Sequence, residues 1–282
     1  MTIALVTGGN RGIGYGIVRR LANEYPSSAV GASGSPLTIL LGSRTLDNGQ
    51  KARDSILSEL ASSAAKVTIT PLQLDISDPE SIKRASAEIQ SRYADQGGID
   101  VLINNAGIAL DGFDADVIRN TMATNYHATK HVIKSIPVRD GGRIVNVASM
   151  AGILRGYGPE VTQRFLDAKT EADVDAIVAD YEADVRNGHC QDKGWKSAAY
   201  STSKCALIAY TRILDADYKK AGKNVAVNAC CPGYVNTDMT KGRGVKSIDE
   251  GAATPVHLAL QDLKGVTGEF WENSSVSKWH QQ

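Results

Sequence analysis

The run Ala4-Leu5-Val6-Thr7-Gly8-Gly9-Asn10-Arg11-Gly12-Ile13-Gly14 decides how the rest of the chain is read. It places a buried-strand pattern, a glycine turn and a helix start in immediate succession. Glycines at such a junction let the main chain approach a pyrophosphate, whose charge is then held by amide donors and by the positive end of the helix dipole. The spacing of Gly8, Gly12 and Gly14 differs from the commoner dinucleotide fingerprint, so the strand-to-helix context carries the argument.

Working outward, apolar runs of strand length alternate with segments of helical period, the pattern of a parallel sheet with crossover helices on both faces. Strands are expected near 2 to 7, 37 to 42, 67 to 74, 99 to 104, 142 to 148, 224 to 230 and 267 to 270. Helices are expected near 12 to 25, 47 to 62, 78 to 94, 114 to 135, 197 to 220 and 249 to 259. Val101-Leu102-Ile103 and Ile144-Val145-Asn146-Val147 show little alternation, as strands covered on both faces should. The expected fold is α/β, a Rossmann-type, doubly wound, seven-stranded parallel sheet. Two segments interrupt the alternation. Pro26 to Pro36 reads as a solvated loop, and Pro159 to Asn187 as one or two amphipathic helices whose acids, Glu171 to Asp184, form a solvated face. With no repeat and no linker, residues 1–282 are expected to form one domain with a helical insertion at about 155–195 before the tyrosine discussed below.

Composition narrows the function. The 282 residues are 42% hydrophobic and 22% charged, and 31 Lys and Arg balance 31 Asp and Glu. That balance lacks the electrostatic footprint of a general nucleic-acid or anionic-membrane binder, so small-molecule partners are expected. Cys190, Cys205, Cys230 and Cys231 do not form a disulfide framework, and the expected setting is reducing and cytoplasmic. No stretch approaches the roughly 18 uninterrupted apolar residues of a membrane span, and a strand beginning at Thr2 leaves no room for a leader. Cys230 and Cys231 are expected to be inert packing at a strand end. His189 with Cys190 lacks a second pair at ligand spacing, so no metal is expected.

The glycine run is followed in order by Asn104-Asn105-Ala106-Gly107, Asn125, Ser149, Tyr200 with Lys204, and Pro232-Gly233. On these motifs the chain resembles the short-chain dehydrogenase/reductase family over nearly its whole length. Asn228-Ala229-Cys230-Cys231-Pro232-Gly233-Tyr234-Val235, the wide stretch between Ser149 and Tyr200, and Thr267-Gly268-Glu269-Phe270 bring it nearest to the monomeric NADPH-dependent carbonyl reductases. The resemblance implies catalytic roles for Asn125, Ser149, Tyr200 and Lys204. It implies cofactor contacts from Gly8, Asn10, Arg11, Gly12, Ile13, Gly14, Asn105, Ala106, Gly107, Tyr200 and Lys204. Asp75 and Asn105 would lie by the adenine and its ribose, Ile76 would add a cofactor contact, and Pro232, Gly233, Val235 and Thr237 would lie by the carboxamide face. Asn125 would anchor a proton-relay water, and Lys204 would hold the nicotinamide ribose.

The residues also carry meaning of their own. Tyr200 and Lys204 are four positions apart in a helical segment and share a face, so the ammonium is expected to favour phenolate and draw the tyrosine pKa down. Tyr200 would then serve as general acid to the alkoxide formed by hydride delivery to a carbonyl carbon, with Ser149 on the same oxygen. The second strand ends Leu40-Leu41-Gly42-Ser43-Arg44, with no acid until Asp47. Arg44 and Arg11 therefore suit a 2′-phosphate, and the expected cofactor is NADPH/NADP+. Ala151 and Tyr234 are expected to line the substrate pocket with Ser149. The competing readings are an NADP(H)-binding sensor without catalysis, and an alcohol dehydrogenase running in the oxidative direction. The insertion is expected to cover the helices through which this family pairs its subunits, leaving a monomer.

Overall fold

A computed structural model describes residues 1–60 and 66–280. β1 (Thr2–Val6) lies between β2 (Leu37–Ser43) and β4 (Ile99–Asn104), and β3 (Val67–Gln73) lies outside β2. Beyond β4 follow β5 (Val138–Val147), β6 (Ala226–Cys231), β7 (Phe270–Glu272) and β8 (Ser275–Ser277), giving the order β3-β2-β1-β4-β5-β6-β7-β8. Neighbours from β3 to β7 pair in parallel. Strand order reverses between β1 and β4, which opens a crevice outside the carboxyl ends of these strands.

Successive residues of β1 feed opposite layers. Ile3 and Leu5 enter one core with Leu102, Tyr126 and Tyr210, whereas Ala4 and Val6 enter the other with Ile17, Leu21 and Val256. The helices that cover the two layers include α1 (Gly12–Glu24), α2 (Leu46–Glu59), α3 (Pro79–Arg92), α4 (Ala115–Met122), α5 (Thr129–Ser135), α8 (Ala199–Lys220) and α9 (Ile248–Leu260).

The sheet has eight strands rather than the expected seven. β8 runs antiparallel to β7 and closes the edge, with Asn273 and Ser274 turning the chain at positive φ. Its three residues are too short and polar to stand out by period. β5 begins at Val138, before the expected 142, because its register shifts opposite Ile99 and Val101. The helix expected over 114 to 135 is broken by a π-helical turn, Ala123–Ala128, between α4 and α5. Part of the helix end expected near 62 lies outside the described residues. Pro26 to Pro36 is not a free loop: it forms two 3₁₀ turns in which Tyr25, Ser28 and Gly31 are buried, and Val30 N donates to Leu260 O at 3.1 Å.

The insertion forms α6 (Pro159–Asp167) and α7 (Glu171–Arg186), the latter opened by a capping box from Thr170 and Asp173. Val161, Phe165, Val174, Ile177, Val178 and Tyr181 are buried in the core that contains Ile118, Met122, Tyr126 and Tyr210. The apolar stripe is thus covered by the chain's own α4 and α8. The acids of α7 are only partly a solvated face. Glu171 and Asp175 reach the Lys130 ammonium at 2.8 and 2.5 Å, and Asp175 also accepts from Tyr126 Oη at 2.9 Å. Lys130 keeps only 8% of its side chain exposed, and a buried ammonium needs such partners.

Candidate active site

At the β1–α1 turn, Gly8 and Gly12 adopt φ of 64° and 53°, a region that side chains with a Cβ rarely enter. A Cβ on Gly14 would stand 2.1 Å from Gly8 O, so only glycine lets the helix begin this close to the loop. Thr7 Oγ1 accepts from the amides of Asn105 and Ala106 at 3.0 Å each, and Asn105 Nδ2 donates to Thr7 O at 2.9 Å. The Asn105 side chain therefore bolts the glycine turn to the end of β4. The N-cap, Arg11, makes no side-chain cap and the first turn of α1 holds no acid. Its leading amides face no competing anion from the chain, which is what a phosphate-binding helix end requires.

Thr237 closes the other side. A Cβ on Gly12 would touch the Thr237 methyl at 3.4 Å, and Gly12, Asn236, Thr237, Asp238, Lys241, Gly242 and Ile248 line a cleft of ≈ 500 Å³. Arg11 lies 3.5 Å from Asp238 across its rim, both side chains exposed. Arg44 is exposed just beyond β2, and among the described residues its guanidinium joins no ion pair. Asp75 spends one carboxylate oxygen on Ser77, accepting from its amide and its hydroxyl, and Ile76 is buried. Asn10 and Ile13 sit half-buried on the loop and first turn. Val235 is buried, with its carbonyl accepting from Thr240 Oγ1 at 2.7 Å, and Gly233, at φ 88°, lies under the Lys246 side chain.

Tyr200 stands in the first turn of α8 and Lys204 one turn further on. Ser149 follows β5, where its Oγ accepts from Ala151 N at 3.1 Å, and its side chain lies near enough to the Tyr200 phenol to act on that group's pKa. Asn125 sits in the π-helical turn, a local unwinding that recurs at functional sites. Its Nδ2 donates to Ile108 O at 2.9 Å and Ser203 Oγ at 3.0 Å, while its Oδ1 accepts from Ile108 N at 2.8 Å. Gly107 is the meeting point: a Cβ there would lie 3.0 Å from Asn125 Oδ1 and 3.5 Å from Lys204 Nζ. Four residues scattered over 80 positions of sequence thus converge at the carboxyl ends of β4 and β5.

The electrostatics depart from the expectation. Burial pushes the Tyr200 phenol up to about 12, with the Ser149 side chain acting against that shift. Burial also draws Lys204 down to about 8. The ammonium donates to Val147 O at 2.8 Å and lies 5.6 Å from the tyrosine ring centroid, and desolvation rather than its charge governs the phenol. Cys230 and Cys231 are buried with raised thiol pKa values, again through burial first. Among the described residues no group of three or more His, Cys, Asp and Glu is arranged to hold a metal ion. No helix there is long and apolar enough to cross a membrane.

A family model described as short chain dehydrogenase matches residues 2–161 and 185–247. The chain belongs to the short-chain dehydrogenase family. This chain is 35% identical to NADPH carbonyl reductase 1 of Homo sapiens and 34% identical to NADPH carbonyl reductase 3 of Rattus norvegicus, over 98% of both chains in each case. Among solved structures, salutaridine reductase from Papaver somniferum superposes with a TM-score of 0.80 at 27% identity, covering 96% of this chain and 99% of that one. An NADPH-bound carbonyl reductase from chicken fatty liver superposes with a TM-score of 0.64 at 25% identity, covering 99% and 98%. The family model skips 162–184, most of α6 and α7, so these helices lie outside the matched short-chain dehydrogenase frame.

Around that frame sit residues the sequence reading passed over. Lys196 Nζ donates to Ile153 O at 2.9 Å and Ala151 O at 3.4 Å, and Trp279 Nε1 donates to Gly152 O at 3.0 Å. Lys196 precedes Tyr200 by the same four positions by which Lys204 follows it. Trp279 is one of only three tryptophans and stands in a polar tail, where its N–H needs a partner. Those were the available signals. Ala151 is half-buried beside Ser149, and Tyr234, which follows Pro232-Gly233, is 51% exposed.

Proposed function

We propose that the protein is an NADPH-dependent carbonyl reductase acting on aldehydes, ketones or quinones, its 282 residues forming one cofactor-binding domain. The observation that carries this reading is the convergence of Ser149, Tyr200, Lys204 and Asn125, with Asn125 and Lys204 meeting at Gly107 and Ser149 near the Tyr200 phenol. The glycine cradle with its uncapped helix end fits a dinucleotide pyrophosphate, and Arg44 with Arg11 fits a 2′-phosphate. Likeness to relatives named for NADPH supports the same choice. When bound, the reduced nicotinamide supplies the hydride that goes to the carbonyl carbon.

Ser149 and Tyr200 hold the carbonyl oxygen between two hydroxyl groups, and Tyr200 gives its proton to the developing alkoxide. Lys204 holds the nicotinamide ribose and Asn125 orders the relay that returns a proton to Tyr200. Asp75 and Asn105 border the adenine and its ribose, Ile76 and Ala106 add further cofactor contacts, and Gly107 lies beside Lys204. Pro232, Gly233, Val235 and Thr237 border the carboxamide, and Ala151 and Tyr234 face the substrate. A phenol that burial holds near 12 is a proton donor at neutral pH and a poor base, which favours reduction over alcohol oxidation. The covered face of α4 and α8 supports a monomer, since the surface that α7 occupies is then closed to a second subunit.

Tyr200→Phe tests the reading. NADPH oxidation should be found in a screen of aldehydes, quinones and keto esters, and should collapse by orders of magnitude in the variant while fluorescence titration reports unchanged NADPH binding. Turnover within a few-fold of the parent would remove Tyr200 from the chemistry.

A further inference from the structure

The segment Met150–Leu154, directly after Ser149, is held by Lys196, by Trp279 near the end of the chain and by the first turns of α8. Lys196 donates to the carbonyls of Ala151 and Ile153 at 3.4 and 2.9 Å. Trp279 donates from its indole to Gly152 O and accepts from Leu154 N at its own carbonyl, each at 3.0 Å. From the third side, a Cβ on Gly152 would lie 2.7 Å from the main-chain carbon of Lys204 and 2.8 Å from Cys205 N, so the segment is pressed onto α8 one turn from Tyr200. Ser149 Oγ itself accepts from Ala151 N at 3.1 Å, which ties the serine to this segment.

Both fasteners are held in turn. The Lys196 ammonium sits 4.3 Å from the Tyr157 ring centroid, its main-chain carbonyl accepts from Tyr181 of α7 at 3.3 Å, and among the described residues no carboxylate pairs with it. The Trp279 indole is buried, edge-on to Phe165 of α6 at 6.3 Å and beneath the Arg212 guanidinium at 5.3 Å. The insertion helices therefore support, through Lys196 and Trp279, the one loop that follows the catalytic serine.

We infer that Lys196 and Trp279 are positioning residues that fix the Ser149 hydroxyl against the Tyr200 phenol, so that both meet one carbonyl oxygen. This rests on the reductase reading, and it adds a reason for the insertion. Two hydroxyl groups that must share an oxygen tolerate little error in their separation, because small misplacements of a reacting group cost rate steeply. Tyr200 stands on a rigid helix, whereas Ser149 stands at the start of an irregular loop and has to be held from outside.

The experiment compares Lys196→Met and Trp279→Phe in the parent and in Ser149→Ala. In the parent background each should lower kcat by roughly ten- to a hundredfold, with KM for NADPH within about twofold. In the Ser149→Ala background each should cost less than about twofold more, the non-additivity expected of residues acting through one group. Lys196→Arg, which keeps the donors, should recover most of the loss. Equal losses in both backgrounds, or no loss in the parent, would overturn the assignment. Should the parent reduce no carbonyl compound, the reductase reading fails by itself, and amide exchange still judges the clamp. Leu154 and its neighbours should exchange faster in both variants while β1 is unchanged, and unaltered protection at Leu154 would refute it.

Discussion

The Lys204 ammonium lies 5.6 Å from the centroid of the Tyr200 ring, one helical turn away along α8, and its hydrogen bond goes to Val147 O. The two groups share a face, as their spacing requires, yet their titration is governed by burial, which raises one and lowers the other. A proton donor that stays protonated and an ammonium that titrates near neutrality have separable signatures.

The first concerns pH. Tyr200 is an acid only below its pKa, so reductive kcat/KM should show no loss attributable to the phenol until pH climbs toward about 12. Alcohol oxidation, which needs the phenolate, should rise with pH across the alkaline range. Lys204 is charged only below about 8, so NADPH affinity should fall as pH rises through that value. Rate profiles beside fluorescence titrations at each pH check both. A reductive rate that fell through pH 8 with binding unchanged would mean that the Lys204 charge acts on Tyr200 after all.

Arg44→Asp should weaken NADPH and improve NADH, since it removes a 2′-phosphate partner and offers the 2′-hydroxyl an acceptor. A charge-assisted hydrogen bond contributes roughly 1.5 to 3 kcal/mol, so the NADPH dissociation constant should rise at least about tenfold. An unmoved ratio of the two affinities would place the 2′-phosphate elsewhere.

Gly14→Ala introduces a methyl where the main-chain Gly8 O stands 2.1 Å away and Asn105 Nδ2 2.6 Å away. The loop must open, at a cost in the range of about 1 to 3 kcal/mol for overpacking. NADPH binding should weaken by more than about tenfold, whereas Tyr200→Phe leaves binding intact. Parallel titrations and melting curves separate the cradle from the chemistry, and an unchanged affinity in Gly14→Ala would remove the turn from the cofactor site.

Asp175→Ala removes the acceptor shared by Lys130 and Tyr126. It should lower stability by about 1 to 3 kcal/mol, seen as a melting temperature several degrees lower. Burial raises the Glu171 and Asp175 carboxyls, but hydrogen bonds from Lys130, with Lys134 or Tyr126, prevail and leave both net lowered. Their contribution is therefore present above the ordinary carboxylate range and lost as pH falls below it, and acid melts should show the parent and variant converging. Light scattering on a sizing column should give 30.0 kDa for the parent. A dimer at low micromolar concentration would mean that α7 does not close the pairing surface.

The glycine turn after a strand, the β-rich runs and the pairing of Tyr200 with Lys204 were legible in the sequence because each depends on local periodicity or on short spacing along one element, whereas Asn125 and Ser149 were named through the family resemblance. The α/β class, the strand order's crevice and the identity of the insertion as amphipathic helices follow from such one-dimensional signals. Only tertiary structure decided the rest. The π-helical turn around Asn125 leaves the same apolar pattern as an unbroken helix, and β8 is too short and polar to announce itself. Neither the partners of Glu171 and Asp175 nor the grip of Lys196 and Trp279 on the Ser149 loop could be read in advance, since a hydrogen bond across 127 positions leaves no period in the sequence. The titration of Tyr200 and Lys204 escaped for a related reason. Spacing says which charges are neighbours, whereas desolvation depends on how completely the folded chain excludes water from both.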